Sequence, residues 1–178
     1  MDIEALVKLT SRAWALDILA LMHGGVAGRQ AVLLAATGAS RAALRQSLEH
    51  VVALGLLERN PGHGHPLRPE YRLTRRGAAA AKLAAAILRA VPDRNQAALL
   101  RKAWTVPVLA VTAAPCRFSE IKARLHLVTD RALSLSLERL QARHWLQRDI
   151  DLSDRPPRPL YRAANTGRDI CRAISATA

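Results

Sequence analysis

The chain carries the stretch Trp14-Ala15-Leu16-Asp17-Ile18-Leu19 near its start and a second version of it, Trp104-Thr105-Val106-Pro107-Val108-Leu109, ninety residues later. Nearly the same offset relates three further pairs: Leu48-Glu49 with Leu137-Glu138, Arg68-Pro69-Glu70-Tyr71-Arg72 with Arg158-Pro159-Leu160-Tyr161-Arg162, and Gly77 with Gly167. Repetition at a fixed period indicates one structural module used twice. We therefore predict two domains, at 1–91 and 92–178.

The composition favours a polyanionic partner. The 178 residues are 50% hydrophobic, enough for two small cores, and carry a formal charge of +13 with an isoelectric point near 11.4. Such a charge attracts nucleic acid or an acidic surface, and the arginines that dominate it suit contacts with phosphate and guanine. The aromatic content of 3% argues against a single-strand binder that stacks bases on exposed rings.

Location and redox chemistry are also constrained. No apolar run reaches the roughly 18 residues that a membrane span needs, and Asp2 and Glu4 precede any basic residue, unlike a signal peptide. We expect a cytoplasmic protein without membrane association. Cys116 and Cys171 are too few for a disulfide framework and are expected to be core residues or unreactive thiols.

The first module has the order of a helix-turn-helix. Apolar spacing predicts one helix over residues 11–22, with Ser11 as its N-cap, and a short second helix over 29–36. Thr37-Gly38-Ala39 forms the turn. Ser40 is placed to cap a third helix that buries apolar residues at helical spacing, namely Leu44, Leu48, Val51 and Val52.

A wing follows the third helix. Residues 56–59 and 68–73 are short extended pieces around a tip rich in Gly, Pro and His, which predicts a β-hairpin. Tyr71 and its counterpart Tyr161 are expected to be buried. Thr74 can cap a long, Ala-rich helix that ends near residue 90.

The second module repeats this order. Asp93 can cap its first helix, Phe118 begins the short second helix, and Thr129 caps a third helix that buries Leu133, Leu137 and Leu140. A wing over residues 145–163 and a last helix over 165–175 complete the module. The predicted fold class is therefore mainly α with small β-hairpin wings, arranged as tandem winged helix-turn-helix domains in a pseudo-dimer.

The second module resembles the HxlR type of winged helix, a bacterial group related to the MarR regulators. The resemblance covers most of residues 100–172 and lies in Lys102-Ala103-Trp104-Thr105-Val106-Pro107-Val108-Leu109, Arg117-Phe118-Ser119-Glu120-Ile121, Thr129-Asp130-Arg131-Ala132-Leu133 and residues 156–161. The first module is similar in Leu54-Gly55-Leu56 and in Tyr71-Arg72-Leu73-Thr74-Arg75-Arg76-Gly77. It departs at Gln30-Ala31-Val32-Leu33, where the second module has Phe118-Ser119-Glu120-Ile121.

The resemblance implies a transcriptional regulator that binds double-stranded DNA and requires no cofactor. The third helix of each module would read a major groove and the wings would touch the backbone. Proteins of this group ordinarily carry one domain and form homodimers. Because this chain fuses two unlike copies, a monomeric pseudo-dimer and a homodimer both stay open.

Candidate base-reading residues lie on the outer faces of the third helices. They are Ser40, Arg41, Arg45 and Gln46 in the first module, and Thr129, Arg131 and Ser134 in the second. Arg and Gln can make bidentate contacts with guanine and adenine, respectively, whereas Asp130 is better suited to the helix N-terminus. The two faces differ, so we expect two unlike half-sites. If a pseudo-twofold relates the modules, the half-sites should lie about 10 bp apart.

Candidate backbone contacts lie on the wings. They are Arg59, His63, His65, Arg68 and Arg72 in the first module, and Arg155, Arg158 and Arg162 in the second. Cationic hairpins suit phosphates and the minor groove. His63-Gly64-His65 lacks the companions of a metal site, and no catalytic motif is present, so we predict neither a bound metal nor an enzyme.

Two other functions stay open at this stage. Tandem winged helices also serve as protein-interaction modules in chromosome-segregation subunits, although a basic surface would then need an acidic partner. They also occur in plasmid-type replication initiators that bind DNA. Only the identity of the bound partner or site separates these alternatives from a regulator.

Overall fold

The structure, a computed structural model, describes residues 1–60, 70–152 and 156–177, apart from the side chain of Arg94. The first 89 residues contain α1 (Ile3–Thr10), α2 (Ala15–His23), α3 (Gln30–Thr37), α4 (Arg41–Ala53), β1 (Leu57–Asn60), β2 (Glu70–Leu73) and α5 (Arg75–Arg89). The rest contains α6 (Arg94–Ala97), a 3₁₀ turn (Ala98–Arg101), α7 (Thr105–Val111), β3 (Cys116–Arg117), α8 (Phe118–Arg124), α9 (Asp130–Ala142), β4 (Leu146–Asp151), β5 (Arg158–Ala163) and α10 (Thr166–Ser175). This architecture confirms the predicted mainly α class with small β-hairpin wings.

The chain forms two compact units, Arg12–Arg89 and Met1–Ser11 together with Ala90–Ala176. The predicted domains, 1–91 and 92–178, place the first eleven residues with the first module, whereas in the structure these residues pack with the unit that begins at Ala90. As limits of the two repeated modules, 1–91 and 92–178 stay a prediction. Helix α1 packs within the second unit, burying Leu6 and Leu9. The Thr10 hydroxyl donates a hydrogen bond to the Ala103 carbonyl at 2.8 Å.

The predicted start of the first helix at Ser11 is wrong. Ser11 ends α1, where its hydroxyl donates to the Lys8 carbonyl at 2.8 Å. Asp2 caps the other end of α1 by accepting from the Ala5 backbone N–H at 2.7 Å. The next helix begins only at Ala15. The helix predicted over residues 11–22 therefore covers the C-cap of α1, a turn and most of α2.

In the unit Arg12–Arg89, the core lies between α2 and α5. Ile18 and Leu19 of α2 are fully buried, and α5 buries Ala84 and Ile87. Alanines on the buried side of α5 bring little side-chain bulk to the interface. Thr74 caps α5 as predicted, accepting from the Gly77 backbone N–H at 2.9 Å. The cap and this core fix the scaffold on which α3 and α4 sit.

Helices α4 and α9 are built in the same way, as the repeat predicted. Ser40 and Thr129 accept hydrogen bonds from the backbone N–H groups three residues on, at 3.2 and 3.3 Å. Each helix buries apolar residues at matching positions, Leu44, Leu48 and Val51 in α4 and Leu133, Leu137 and Leu140 in α9; Val52 is half-buried. Each also buries a serine, Ser47 or Ser136, whose hydroxyl donates to the carbonyl four residues earlier.

Both wings are antiparallel. Strands β1 and β2 pair Leu57 with Leu73 at the base of the first wing. In the second module, β5 lies between β4 and the short strand β3, which the sequence reasoning did not predict. Tyr161 is buried as expected, whereas Tyr71 is only half-buried.

A substitution at the end of α9 tests the equivalence of the two modules. His144 has a φ of +57°, and Gly55, at the equivalent position after α4, has +68°. A left-handed conformation costs a side-chain-bearing residue about 1–2 kcal/mol, partly offset by the entropy that glycine loses on folding. We expect His144→Gly to raise the free energy of unfolding by about 0.5–1 kcal/mol. Denaturant titration of the variant and the parent chain measures this difference in the free energy of unfolding.

The reciprocal change serves as the control. Gly55→Ala should destabilise the chain by about 1 kcal/mol, because it places a Cβ in the same left-handed conformation. A His144→Gly variant that is less stable than the parent chain would contradict the backbone assignment at this position.

Candidate nucleic-acid interface

The outer face of α4 is exposed, as the first module's candidate site requires. Ser40, Arg41, Arg45 and Gln46 are all exposed, opposite the buried leucines. The Arg45 Nε atom lies 3.9 Å from a Glu49 carboxylate oxygen, and both side chains are 67% exposed. An exposed pair of this kind contributes little to stability, so Arg45 can exchange the glutamate for a ligand at low cost.

The outer face of α9 has the same geometry but different chemistry. Thr129, Arg131 and Ser134 are exposed, as are Asp130 and Glu138. The Asp130 carboxylate forms an ion pair with the Lys122 ammonium of α8 at 2.6 Å, and it also lies at the N-terminus of α9, where negative charge is favourable. Asp130 therefore stabilises the protein and is not assigned a contact with DNA.

Charge separates the two faces. In the first module, Arg41 and Arg45 stand against Glu49 alone. In the second, the exposed Arg131 and Arg139 are balanced by Asp130 and Glu138, and Lys122 of α8 pairs with Asp130. Counted over these helix residues alone, the first face is positive and the second is neutral, so the first face offers the stronger attraction for a polyanion.

The hydroxyls of Ser40 and Thr129 have a structural role first. Each accepts a backbone N–H at the start of its helix, which satisfies a donor that the helix itself leaves without a partner. Their own O–H groups stay available to donate outward. Each hydroxyl can donate a hydrogen bond to a phosphate or a base. Because it also caps its helix, its removal would lower the stability of the helix as well.

The wing of the second module places Arg158 and Arg162 on one face. Both are exposed on β5, four residues apart, while Tyr161 and Ala163 between and beyond them are buried. In register, Arg158 lies opposite Asp151 and Arg162 opposite Gln147. The Arg117 guanidinium donates a hydrogen bond to the Asp151 carboxylate at 2.8 Å. This ion pair partly neutralises the negative charge beside Arg158.

The wing of the first module does not bring its candidates together. Arg59 and Arg72 are both exposed, but Arg59 pairs with Tyr71 and Arg72 with Glu58. Residues directly opposite each other share a face of a hairpin, and neighbours along a strand alternate, so Arg59 and Arg72 point to opposite faces. Arg72 also lies 3.5 Å from the Glu70 carboxylate.

Four predicted wing residues, His63, His65, Arg68 and Arg155, lie outside the described residues. Over the described ranges, no group of His, Cys, Asp and Glu side chains is arranged to hold a metal ion. Across the same ranges no helix is long and apolar enough to cross a bilayer.

Both cysteines are buried. The Cys116 thiol donates to the Val111 carbonyl and the Cys171 thiol to the Leu109 carbonyl, each at 3.1 Å. Burial raises the pKa of Cys171 to about 11. Because the thiolate is the reactive form, Cys171 is poorly reactive near neutral pH, in line with the expected core role.

The sequence reasoning missed the apolar residue Leu135 of the α9 face. Leu135 is 40% exposed and lies between Ser134 and Ser136 on the first half of the helix. Counting from the N-caps would have found it, since Leu135 follows Thr129 by the same six positions that separate Gln46 from Ser40.

Comparison with known proteins gives three results. One solved structure that resembles part of the chain is described as a MarR-family transcriptional regulator from Porphyromonas gingivalis W83, with 18% identity, a TM-score of 0.42, and coverage of 48% of this chain and 84% of that chain. No curated protein matches significantly. The HxlR-like helix-turn-helix family matches residues 9–93 and again residues 99–178. The chain therefore belongs to the HxlR-like helix-turn-helix family and carries the family's domain in two copies.

Proposed function

We propose that the protein is a sequence-specific transcriptional regulator that binds double-stranded DNA through two unlike winged helices. Helices α4 and α9 would each enter a major groove, and the wings would contact the sugar-phosphate backbone. The observation that carries the proposal is the exposure of both third-helix faces, with Arg41, Arg45 and Arg131 all outward. Family membership supports the same class of function.

The charge of the chain supports DNA rather than an uncharged partner. A net charge of +13 gives a favourable, salt-dependent attraction to phosphate that does not depend on sequence. The exposed Arg158 and Arg162 on one face of β5 suit this role, because backbone contacts position a protein without reading bases. The exposed polar side chains of α4 and α9 would then determine the base preference.

Selection of duplexes from a random library, followed by gel-shift titrations, tests the proposal. Affinity should fall by about a thousandfold or more from about 50 to about 200 mM salt if six or more phosphates are neutralised. Arg45→Ala and Arg131→Ala should each relax base preference at particular positions. Arg158→Ala should weaken binding to every duplex alike.

Arg172→Ala is the charge-matched control. Arg172 is exposed on α10 and pairs with Asp169 at 3.0 Å, so its removal should leave sequence preference unchanged. If all three interface variants lose the same affinity on every duplex, the base-reading assignment is wrong. If no duplex is selected, and a stoichiometric protein partner instead survives nuclease treatment, the DNA-binding proposal itself is wrong.

A further inference from the structure

Leu135 is an apolar side chain on a face where the fold does not use it. The core side of α9 consists of Leu133, Leu137 and Leu140, which are at most 3% exposed, whereas Leu135 is 40% exposed. A single exposed leucine is ordinary on a protein surface. Leu135 is distinguished by its position, because it lies six residues after the N-cap on the outer face of the helix that the proposed function places in a major groove.

The surroundings of Leu135 determine what kind of ligand fits. Residues three and four positions apart are neighbours on a helix, which places Arg131 on one side of Leu135 and Glu138 and Arg139 on the other; all three are exposed. Leu135 is the only large exposed hydrophobic residue within α9. A protein partner docking on this face would meet a single leucine among charges, whereas contact interfaces need a contiguous apolar centre.

A polyanion that presents one small apolar group fits a single leucine flanked by arginines better than a protein surface does. In the major groove of DNA, the apolar group that a base pair presents is the C5-methyl of thymine. Arg131 and Arg139 beside Leu135 would face the phosphates or guanine edges around it. The area that one leucine offers matches a methyl group rather than a larger hydrophobic ligand.

The first module supplies the comparison. Gln46 occupies the equivalent position on α4, six residues after the cap, and is exposed like Leu135. The equivalence rests on structure as well as sequence, because Ser47 and Ser136 next to these residues are buried with the same hydrogen bond. Gln suits adenine, which presents a donor and an acceptor in the major groove; Leu can make neither bond.

We propose that Leu135 reads a thymine methyl group in the half-site of the second module, at the position where Gln46 contacts adenine in the half-site of the first. This inference rests on the proposed function of the chain. It assigns opposite requirements to one helix position in the two modules, a hydrogen-bonding base in one half-site and a methyl-bearing base in the other.

Uracil substitution tests the inference, since uracil differs from thymine only by the missing methyl group. Starting from the duplex that the full chain selects, each thymine is replaced by uracil in turn and the affinity is measured by gel shift. One replacement in the second module's half-site should weaken binding about fourfold, the value expected for one lost buried methyl. In Leu135→Gln the same replacement should have no effect, and adenine should become the preferred base there.

Gln46→Leu is the matched reciprocal variant. It should lose the preference for adenine and acquire sensitivity to uracil in the first module's half-site. Both positions are exposed, so neither change should unfold the chain, and circular dichroism checks this. Size-exclusion chromatography of Leu135→Gln should show the parent oligomeric state.

The outcomes separate this inference from the proposed function. If the parent chain selects a duplex but no uracil replacement in the second half-site weakens binding, Leu135 does not read a methyl group, while DNA binding stands. If Leu135→Gln alters the oligomeric state and leaves base preference intact, Leu135 belongs to a protein interface and the inference is wrong. If the parent chain selects no duplex, both proposals fall.

Discussion

Replacing Arg41 and Arg45 together by alanine is expected to lower affinity for the selected duplex about a hundredfold, while affinity for unrelated duplexes falls much less. Each well-placed arginine contributes about 1–3 kcal/mol of discrimination when it contacts a guanine edge. Both side chains are exposed on the outer face of α4, and the Arg45–Glu49 pair at 3.9 Å offers little competition. Competition gel shifts with specific and unrelated duplexes measure the ratio.

The control removes the same charge from another surface of the same unit. Lys82 and Arg89 are exposed on α5, so Lys82→Ala/Arg89→Ala changes the net charge equally without touching α4. This variant should lose affinity uniformly and modestly, through the non-specific term alone. Equal losses for the two double variants on the selected duplex would show that α4 does not read bases.

Gly77→Ala is expected to lower the free energy of unfolding by about 2–4 kcal/mol, a cost typical of overpacking and backbone displacement. A Cβ at Gly77 would lie 1.8 Å from the Leu56 carbonyl oxygen, too close for any side chain, so backbone must move. Gly167 repeats the arrangement in the second module, where a Cβ would lie 2.0 Å from the Trp145 carbonyl oxygen. In both modules this close approach fixes the helix after the wing against the residue that directly precedes the first strand of the wing.

Gly24→Ala is the matched control for this prediction. Its Cβ would meet nothing closer than 3.4 Å, and its φ of −76° suits alanine. Thermal and denaturant unfolding of the full chain should show a small change for Gly24→Ala and a large loss for Gly77→Ala and Gly167→Ala. A Gly77→Ala chain as stable as the Gly24→Ala chain would contradict the close packing at this point.

Helices α4 and α9 could be predicted from the sequence because their signals are local. Ser40 and Thr129 are strong N-caps, and the leucines that follow them recur at helical spacing, so caps and core side agree with the structure. Helix α1 was missed because its stability depends on a distant partner. Its eight residues are too few to be helical alone, and it packs in the unit that begins at Ala90.

The candidate site was predicted in part. Exposure of Arg41, Arg45 and Arg131 follows from helix periodicity, and the shared face of Arg158 and Arg162 follows from strand alternation. The opposite faces of Arg59 and Arg72 depend on the pairing register of β1 with β2, which the sequence of the hairpin does not fix. Leu135 was not predicted because an apolar side chain gives no hydrogen-bonding signal in the sequence.

The most direct test of two unlike reading helices is the sequence that the full chain selects from a random duplex library, read together with a hydroxyl-radical footprint on that duplex. Two protected half-sites of different sequence are expected, one altered by Arg45→Ala and the other by Arg131→Ala. A strict palindrome whose two halves respond equally to both variants, or protection of a single half-site, would contradict this expectation.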